Sequence, residues 1–197
     1  MTHAELDLPI SPVELAVLTT RLGRDATAAG LLDVSYRIVD TPIGRLLIAS
    51  TPVGLVRVAF EREGFDHVLA DLARRVGPRL LATPQALAEP AGQIEEYFAG
   101  ARRRFDLPLD NRLSGGFRLA VQQLLPAIEY GTTVTYSHLA ELAGSPRAVR
   151  AVGTACATNP LPVVVPCHRV RRSDGTLGGY LGGPEVKAAL LTLEAAS

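Results

Sequence analysis

Cys167 and His168 stand side by side in Pro166-Cys167-His168-Arg169-Val170, directly after the apolar run Leu161–Val165. A thiol between an apolar strand and an imidazole and guanidinium can act as a nucleophile, because both neighbours favour the charged sulfur. Taken alone, the dipeptide fits a buried structural cysteine better. Glu194 offers a carboxylate to orient the imidazole, in the last turn of a helix expected over Pro184–Ala196 and packed through Val186, Leu190 and Leu193. A negative charge there opposes the helix dipole, at a cost of roughly tenths of a kcal/mol. A solvated helix end accounts for it, and so does a positive partner. Cys156 recurs with Val149 and Val152 at helical spacing and reads as a small buried apolar residue. Two cysteines make no disulfide framework, and four scattered histidines make no metal spacing, so no metal is expected.

A second group of residues suits contact with a large anionic partner. Arg147 and Arg150 lie among Ala148, Ala151, Gly153 and Thr154 on a helix expected over Pro146–Thr158. Small side chains let the helix backbone approach a partner, and arginines meet phosphates. An amphipathic core helix with solvated arginines is the plainer alternative. Arg171 and Arg172 continue the positive run, or belong to a solvated loop. Gly178-Gly179-Tyr180-Leu181-Gly182-Gly183 holds an aromatic ring between glycine pairs. That pattern gives either a flexible turn or a loop whose backbone nears a ligand, with Tyr180 as a stacking face.

These residues need elements to place them. Residues 1–30 read as an N-terminal extension, with Ser11-Pro12 starting a helix that sets Leu15, Leu18 and Leu22 on one face. From Val34 the period becomes two. The turns Thr41-Pro42-Ile43-Gly44 and Thr51-Pro52-Val53-Gly54 separate Val34–Ile38, Leu46–Ala49 and Leu55–Phe60, which predicts a three-stranded antiparallel meander. Two helical stripes follow, Phe65/Leu69/Leu72/Val76 and Leu87/Ala91/Ile94/Phe98, the second closed by Gly100. After the basic run Arg102–Arg104, Phe105, Leu107 and Leu109 alternate like an edge strand around Pro108. The polar stretch Asp110–Gly116 divides the chain into a domain over 31–112 and a second over 113–197. The second opens with a helix over Phe117–Glu129 and a strand at Thr132–Thr135. Then come helices at Ser137–Ala143 and from Ser145-Pro146, joined at Gly144, which suggests a helix-turn-helix. Asn159-Pro160 ends the last of these.

The 197 residues are 47% hydrophobic and 20% charged, enough apolar content for a buried core. No apolar run reaches membrane length and no signal-peptide pattern opens the chain, so a soluble, cytoplasmic protein is expected. Net charge is zero, which argues weakly against a nucleic-acid partner. The sum conceals a split. There are 13 Arg against 15 acids before residue 115, and 6 Arg plus Lys187 against 5 acids after it. Lys187 is the only lysine, read as a composition bias toward arginine.

Asn159-Pro160 followed by Leu161–Val165 and Pro-Cys-His-Arg-Val resembles the signature of the O6-alkylguanine-DNA alkyltransferases, or methylated-DNA–protein-cysteine methyltransferases. Gly131–Tyr136, Arg147–Gly153, Gly178–Gly183 and Leu190–Glu194 resemble the same family. So do Tyr97–Gly100 and Phe105–Leu109. The resemblance implies an α/β N-terminal domain with a small antiparallel sheet, and a mostly α C-terminal winged-helix-like domain. It implies irreversible, single-turnover transfer of a methyl or small alkyl group from O6-alkylguanine in double-stranded DNA to Cys167, with no cofactor. His168 would take the thiol proton through a bound water, Glu194 would orient it, and Asn159 would brace the turn. Tyr136 would help rotate the nucleotide and donate a proton to the leaving guanine. Arg150 would fill the space of the flipped base, with Arg147, Ala148, Ala151, Gly153 and Arg169 on the DNA and the helix in the minor groove. Val170, Tyr180 and Leu181 would line the base pocket. A monomer is expected, with cooperative binding on DNA left open.

The chain departs from the family at Arg118 and Gln122, where Gln and Trp are usual, and it has no tryptophan. Two other readings compete. A non-catalytic lesion binder would lack the acceptor that Cys167 supplies. An alkylation-responsive regulator would carry a cysteine-rich domain, and residues 1–30 hold no cysteine. A cysteine hydrolase is more distant still.

Overall fold

The computed structural model describes residues 11–196. Strands β1 (Val34–Val39), β2 (Leu46–Ser50) and β3 (Leu55–Phe60) run antiparallel in sequence order. Both Thr-Pro turns close as expected: Gly44 N–H donates to Thr41 O at 3.0 Å and Gly54 N–H to Thr51 O at 3.2 Å. A short β4 (Leu80–Ala82) adds parallel to β1, with Val34 opposite Leu80, so the sheet is mixed in the order β3-β2-β1-β4. The three residues of this strand, within the five between Pro78 and Pro84, are too few to show alternation, and the periodicity does not reveal it.

Leu46, Leu47, Ile48 and Ala49 all have no exposed surface, because both faces of β2 are covered. On one face Leu47 and Ala49 meet Val68 and Leu72 of helix α2 (Phe65–Arg75). On the other, Leu46 and Ile48 join Leu87, Ile94 and Tyr97 from the region of α3 (Ala88–Phe98), and this core runs on to Val121, Val152, Cys167 and Leu190. A strand buried on both faces reads as a continuous apolar run. Each such leucine contributes about 1.5–3 kcal/mol. The same core that holds the sheet therefore holds the cysteine.

Helix α1 (Pro12–Ala28) starts at Ser11 with a reciprocal capping box to Glu14. Its leucine stripe is not its docking face: Leu15, Leu18 and Leu22 are 57%, 53% and 58% exposed. The helix approaches the sheet at Gly23, where a Cβ would come within 2.8 Å of Thr83 Cγ2. Residues 1–10 of the expected extension lie outside the described residues.

Several boundaries differ from expectation. Phe105–Leu109 is not a strand; one parallel bridge links Leu109 to Leu55, and Pro108 has no N–H with which to lengthen it. Helix α4 (Gly116–Leu124) ends before Glu129, because Pro126 tightens Leu125–Ala127 into a 3-10 turn. Strand β5 (Val134–Thr135) leads into α5 (Tyr136–Leu142), capped by the Thr135 hydroxyl. Helix α6 (Val149–Ala157) begins after a turn at Ser145–Ala148 rather than at Pro146. Val149, expected inside, is 37% exposed at its first turn. Strand β6 (Val170–Arg171) pairs parallel with β5, and α7 (Pro184–Ala195) closes the described chain. The expected fold class is present: a sheet-based first half and a helix-turn-helix second half. Among the described residues no helix is long and apolar enough to cross a membrane.

Candidate active site

Leu161–Val165 was expected to be a buried strand. It is buried, but it is a turn, with Val165 N–H donating to Leu161 O at 2.7 Å. Pro160, Pro162 and Pro166 lack the amide hydrogens a strand ladder needs. Asn159 supplies the bonds instead. Its side chain accepts from Leu161 N–H at 3.0 Å and donates from Nδ2 to Val165 O at 2.8 Å and to Cys167 Sγ at 3.2 Å. Val163 sits at φ +73°, a left-handed conformation that costs a side-chain-bearing residue about 1–2 kcal/mol. The packed turn holds that strain next to the cysteine.

Cys167 opens a 3-10 turn over Cys167–Arg169 and is 2% exposed. Burial pushes its thiol up to about 11, and the bond from Asn159 only partly offsets this. The resting group is thus a thiol, not the thiolate that its neighbours suggested, and it would need a base to act as a nucleophile. Both expected sources of positive charge are otherwise engaged.

Burial holds the His168 imidazole below its ordinary range, against the pull of Glu194. His168 Nε2 lies 2.9 Å from Glu194 Oε1. A carboxylate with several donors around it only accepts, so Nε2 carries the hydrogen and Nδ1 keeps its lone pair. Nδ1 is buried and has no hydrogen-bond partner among the described residues. Glu194 itself is 2% exposed. Burial alone would raise its pKa, but donors from His168, Arg169 and Tyr97 outweigh it and hold the carboxyl down at about 2. The positive partner suggested by its place at a helix C-terminus is present in Arg169.

Arg169, expected on the DNA, points inward. Its Nε and Nη2 bind Glu194 at 2.8–3.2 Å, its Nη1 donates to Ile128 O at 2.7 Å, and its guanidinium covers the Tyr130 ring. The tight turn after Pro166 directs this arginine into the core, while Arg171 and Arg172 beyond it are exposed.

Of the other expected residues, Tyr136 and Tyr180 lie near Cys167. Tyr136, the first residue of α5, is half-buried; burial and then the two thiols push its phenol up to about 12, so it stays protonated. Gly178 passes over it at φ +70°, where a Cβ would lie 2.9 Å from Tyr136 Oη. Tyr180 stands edge-on to His168, with ring centroids 6.3 Å apart, and edge-on to Phe60 of β3. Leu181 is half-buried and Val170 fully buried.

Sequence reasoning missed two members of this site. Lys187 is fully buried, donates from Nζ to Val170 O at 2.6 Å and to Leu177 O, and lies over the Tyr136 ring. Its being the one lysine among arginines was the available signal, and was read as bias. Tyr97, from α3, donates to Glu194 Oε1 at 2.7 Å. It lies in the Tyr97–Gly100 segment that carries the resemblance, off the Leu87/Ala91/Ile94/Phe98 stripe, but nothing local gave its hydroxyl a partner so remote in the chain.

Away from the pocket, α6 presents Arg150 and Ala151 to solvent and the turn before it presents Arg147, with Ala148 of that turn and Gly153 of the helix half-buried beside them. Its opposite face, Val152, Ala155 and Cys156, is buried. Gln122 bonds that face, donating to Ala155 O at 2.9 Å. The unusual residue on α4 therefore supports α6 through a hydrogen bond.

Two family models match the chain: the ribonuclease-like domain of 6-O-methylguanine DNA methyltransferase over residues 34–111, and the DNA binding domain of the same protein over 116–196. The constitutive methylated-DNA–protein-cysteine methyltransferase of Bacillus subtilis is 39% identical over 160 residues, 81% of this chain and 94% of that one. The methylated-DNA–protein-cysteine methyltransferase of Mycolicibacterium paratuberculosis is 40% identical over 161 residues, 82% of this chain and 92% of that one. The Mycobacterium tuberculosis OGT protein, solved in complex with DNA, superposes with TM-score 0.72 at 37% identity, covering 82% of this chain and 93% of that one.

Proposed function

The chain belongs to the 6-O-methylguanine DNA methyltransferase family, and from that premise we propose that its alkyl acceptor is Cys167, served by His168 and Glu194. The protein is a DNA-binding repair enzyme, a methylated-DNA–protein-cysteine methyltransferase that reverses damage directly. The family matches over 34–111 and 116–196 support a division into an extension over 1–30, an N-terminal domain over 31–112 and a C-terminal domain over 113–197.

The observation that carries the site assignment is the 2.9 Å contact between His168 Nε2 and Glu194 Oε1, which sets the tautomer of His168. With Nε2–H committed to Glu194, the buried Nδ1 keeps a free lone pair on the residue next to Cys167 in the chain. Sγ attacks the alkyl carbon on O6; the S–C bond forms as the C–O6 bond breaks. The thiol proton passes through a bound water to Nδ1, and Glu194 stabilises the imidazolium. The Tyr136 phenol donates a proton to the departing guanine and is reprotonated, through solvent, by the proton that His168 took, so the thiol proton ends on guanine. The thioether has no route back to the thiol, so each chain reacts once, and no cofactor takes part. A sulfur only 2% exposed cannot reach a base stacked in a duplex, which supports flipping of the guanine into the pocket walled by Val170, Tyr180 and Leu181. Arg150 then fills the gap, with Arg147, Ala148, Ala151 and Gly153 along the minor groove. The protein acts as a monomer on lesion-bearing duplex DNA. Two unpaired cysteines suit a reducing compartment such as the cytoplasm.

Two measurements test this reading. With excess duplex containing O6-methylguanine, peptide masses should show one methyl per chain, on the Cys167 peptide. A methyl on Cys156, or none on Cys167, would overturn it. Arg150→Ala should slow repair of duplex by about tenfold or more, yet slow reaction with free O6-methylguanine by less than about threefold. Equal losses on both substrates contradict the flipping role.

A further inference from the structure

Tyr97 comes from the N-terminal half, yet it touches the heart of the acceptor site. It has no exposed surface, and its ring is fixed among Phe98 and Phe105, each with centroids at 5.3 Å, and Tyr130 at 6.1 Å. Phenylalanine would fill that space as well. A buried hydroxyl needs a partner, and this one has Glu194 Oε1 at 2.7 Å. The same oxygen accepts His168 Nε2 at 2.9 Å and Arg169 Nη2 at 2.8 Å, while Oε2 takes Arg169 Nε at 2.9 Å and Gly131 N–H at 3.2 Å.

We propose that Tyr97 is a positioning residue for alkyl transfer: its phenol fixes Oε1 in line with His168 and tempers the charge this oxygen presents to the imidazole. The inference rests on the Cys167–His168–Glu194 reading and adds the N-terminal domain to it. The groups facing the pair are Tyr97 from α3, Arg169 and Cys167 from the 3-10 turn, Tyr180 from the glycine-rich loop, Tyr130, and Lys187 from α7. Of these, Tyr97 is the neutral donor on the oxygen that His168 uses. Without it, Oε1 holds an imidazolium more tightly, so His168 stays protonated, and inactive as a base, to higher pH. Glu194, one donor poorer, also takes a proton at higher pH. Both changes move the acid limb of activity upward.

The test is the pH profile of the second-order rate on methylated duplex, in wild type and Tyr97→Phe. The variant should be slower by roughly threefold to tenfold near about pH 6 and by less than about twofold near about pH 8. Replacing Tyr97 with 3-fluorotyrosine, a stronger donor of the same shape, should shift the acid limb to lower pH. A purely structural tyrosine would change the rate by one factor at all pH values; that result, or profiles superimposed on wild type, overturns the assignment. Glu194→Gln is measured alongside. If it transfers as fast as wild type, the relay reading fails and this inference with it. If it is slow while Tyr97→Phe keeps the wild-type profile, the role of Tyr97 alone is refuted.

Discussion

Cys167→Ser is expected to abolish alkyl transfer, with a loss of at least about 10³-fold, while DNA binding and folding persist. The hydroxyl would still accept the Asn159 Nδ2 hydrogen that Sγ accepts at 3.2 Å, so the turn should hold. What disappears is nucleophilicity. A serine hydroxyl is far less acidic than even the raised Cys167 thiol, and a neutral His168 cannot take its proton as the bond to carbon forms. Cys156→Ser is the matched control. Cys156 is also buried and unpaired, but its environment holds its thiol well above the ordinary range, with burial the main cause. That variant should transfer within about threefold of wild type and lose about 1–2 kcal/mol from burying a hydroxyl among apolar groups. Transfer rates on methylated duplex, DNA affinity and denaturant melts separate the two. Methyl transfer surviving in Cys167→Ser would exclude Cys167 as the acceptor.

Glu194→Ala should be the most damaging change to stability. Among the described residues Glu194 is the only carboxylate on Arg169, and it is the partner of His168 and Tyr97, all of them buried. Removing one member of a buried ion pair leaves the other charge without compensation, at about 3–5 kcal/mol. Transfer should also fall by about 10²–10⁴-fold, the usual contribution of a positioned base and its orienter. The pH dependence carries a second signature. A carboxyl held at about 2 rather than its ordinary 4.5 contributes stability that is complete above 4.5 and lost as pH falls toward 2. The difference amounts to about 3 kcal/mol. His168, held below its ordinary 6.5, adds to the loss on the acid side, because the unfolded chain binds that proton first. Urea melts across acid pH should therefore show a steep decline in wild type and a flatter one in Glu194→Ala. Equal slopes would contradict the buried pairing.

How far the site could be read in advance depends on how local each signal was. Cys167 and His168 are adjacent, and Asn159 precedes a proline, so all three stood out within one segment. Glu194 carried an electrostatic hint: an acid at the wrong end of a helix fits either a solvated end or a cation elsewhere, and the structure has the cation. Arg169 misled for the opposite reason. Its charge matched the exposed Arg171 and Arg172, but a single turn of backbone reverses which way a side chain points. The Leu161–Val165 run had the hydrophobicity of a strand, and three prolines decided otherwise. Strand β4 was too short to carry a period.

The sequence by itself determined the two halves, the meander and the helix-turn-helix, and it set a cysteine beside a histidine. Those features depend on residues within a few turns of one another, where periodicity, proline and capping act. The tertiary structure alone decided the protonation of the site. Whether Cys167 rests as thiol or thiolate, which nitrogen of His168 is free, and where Arg169 spends its charge all follow from burial and from donors far away in the chain. Tyr97 and Glu194 meet across 97 residues. Desolvation and hydrogen bonding act through space, and only the packed core brings those groups within reach.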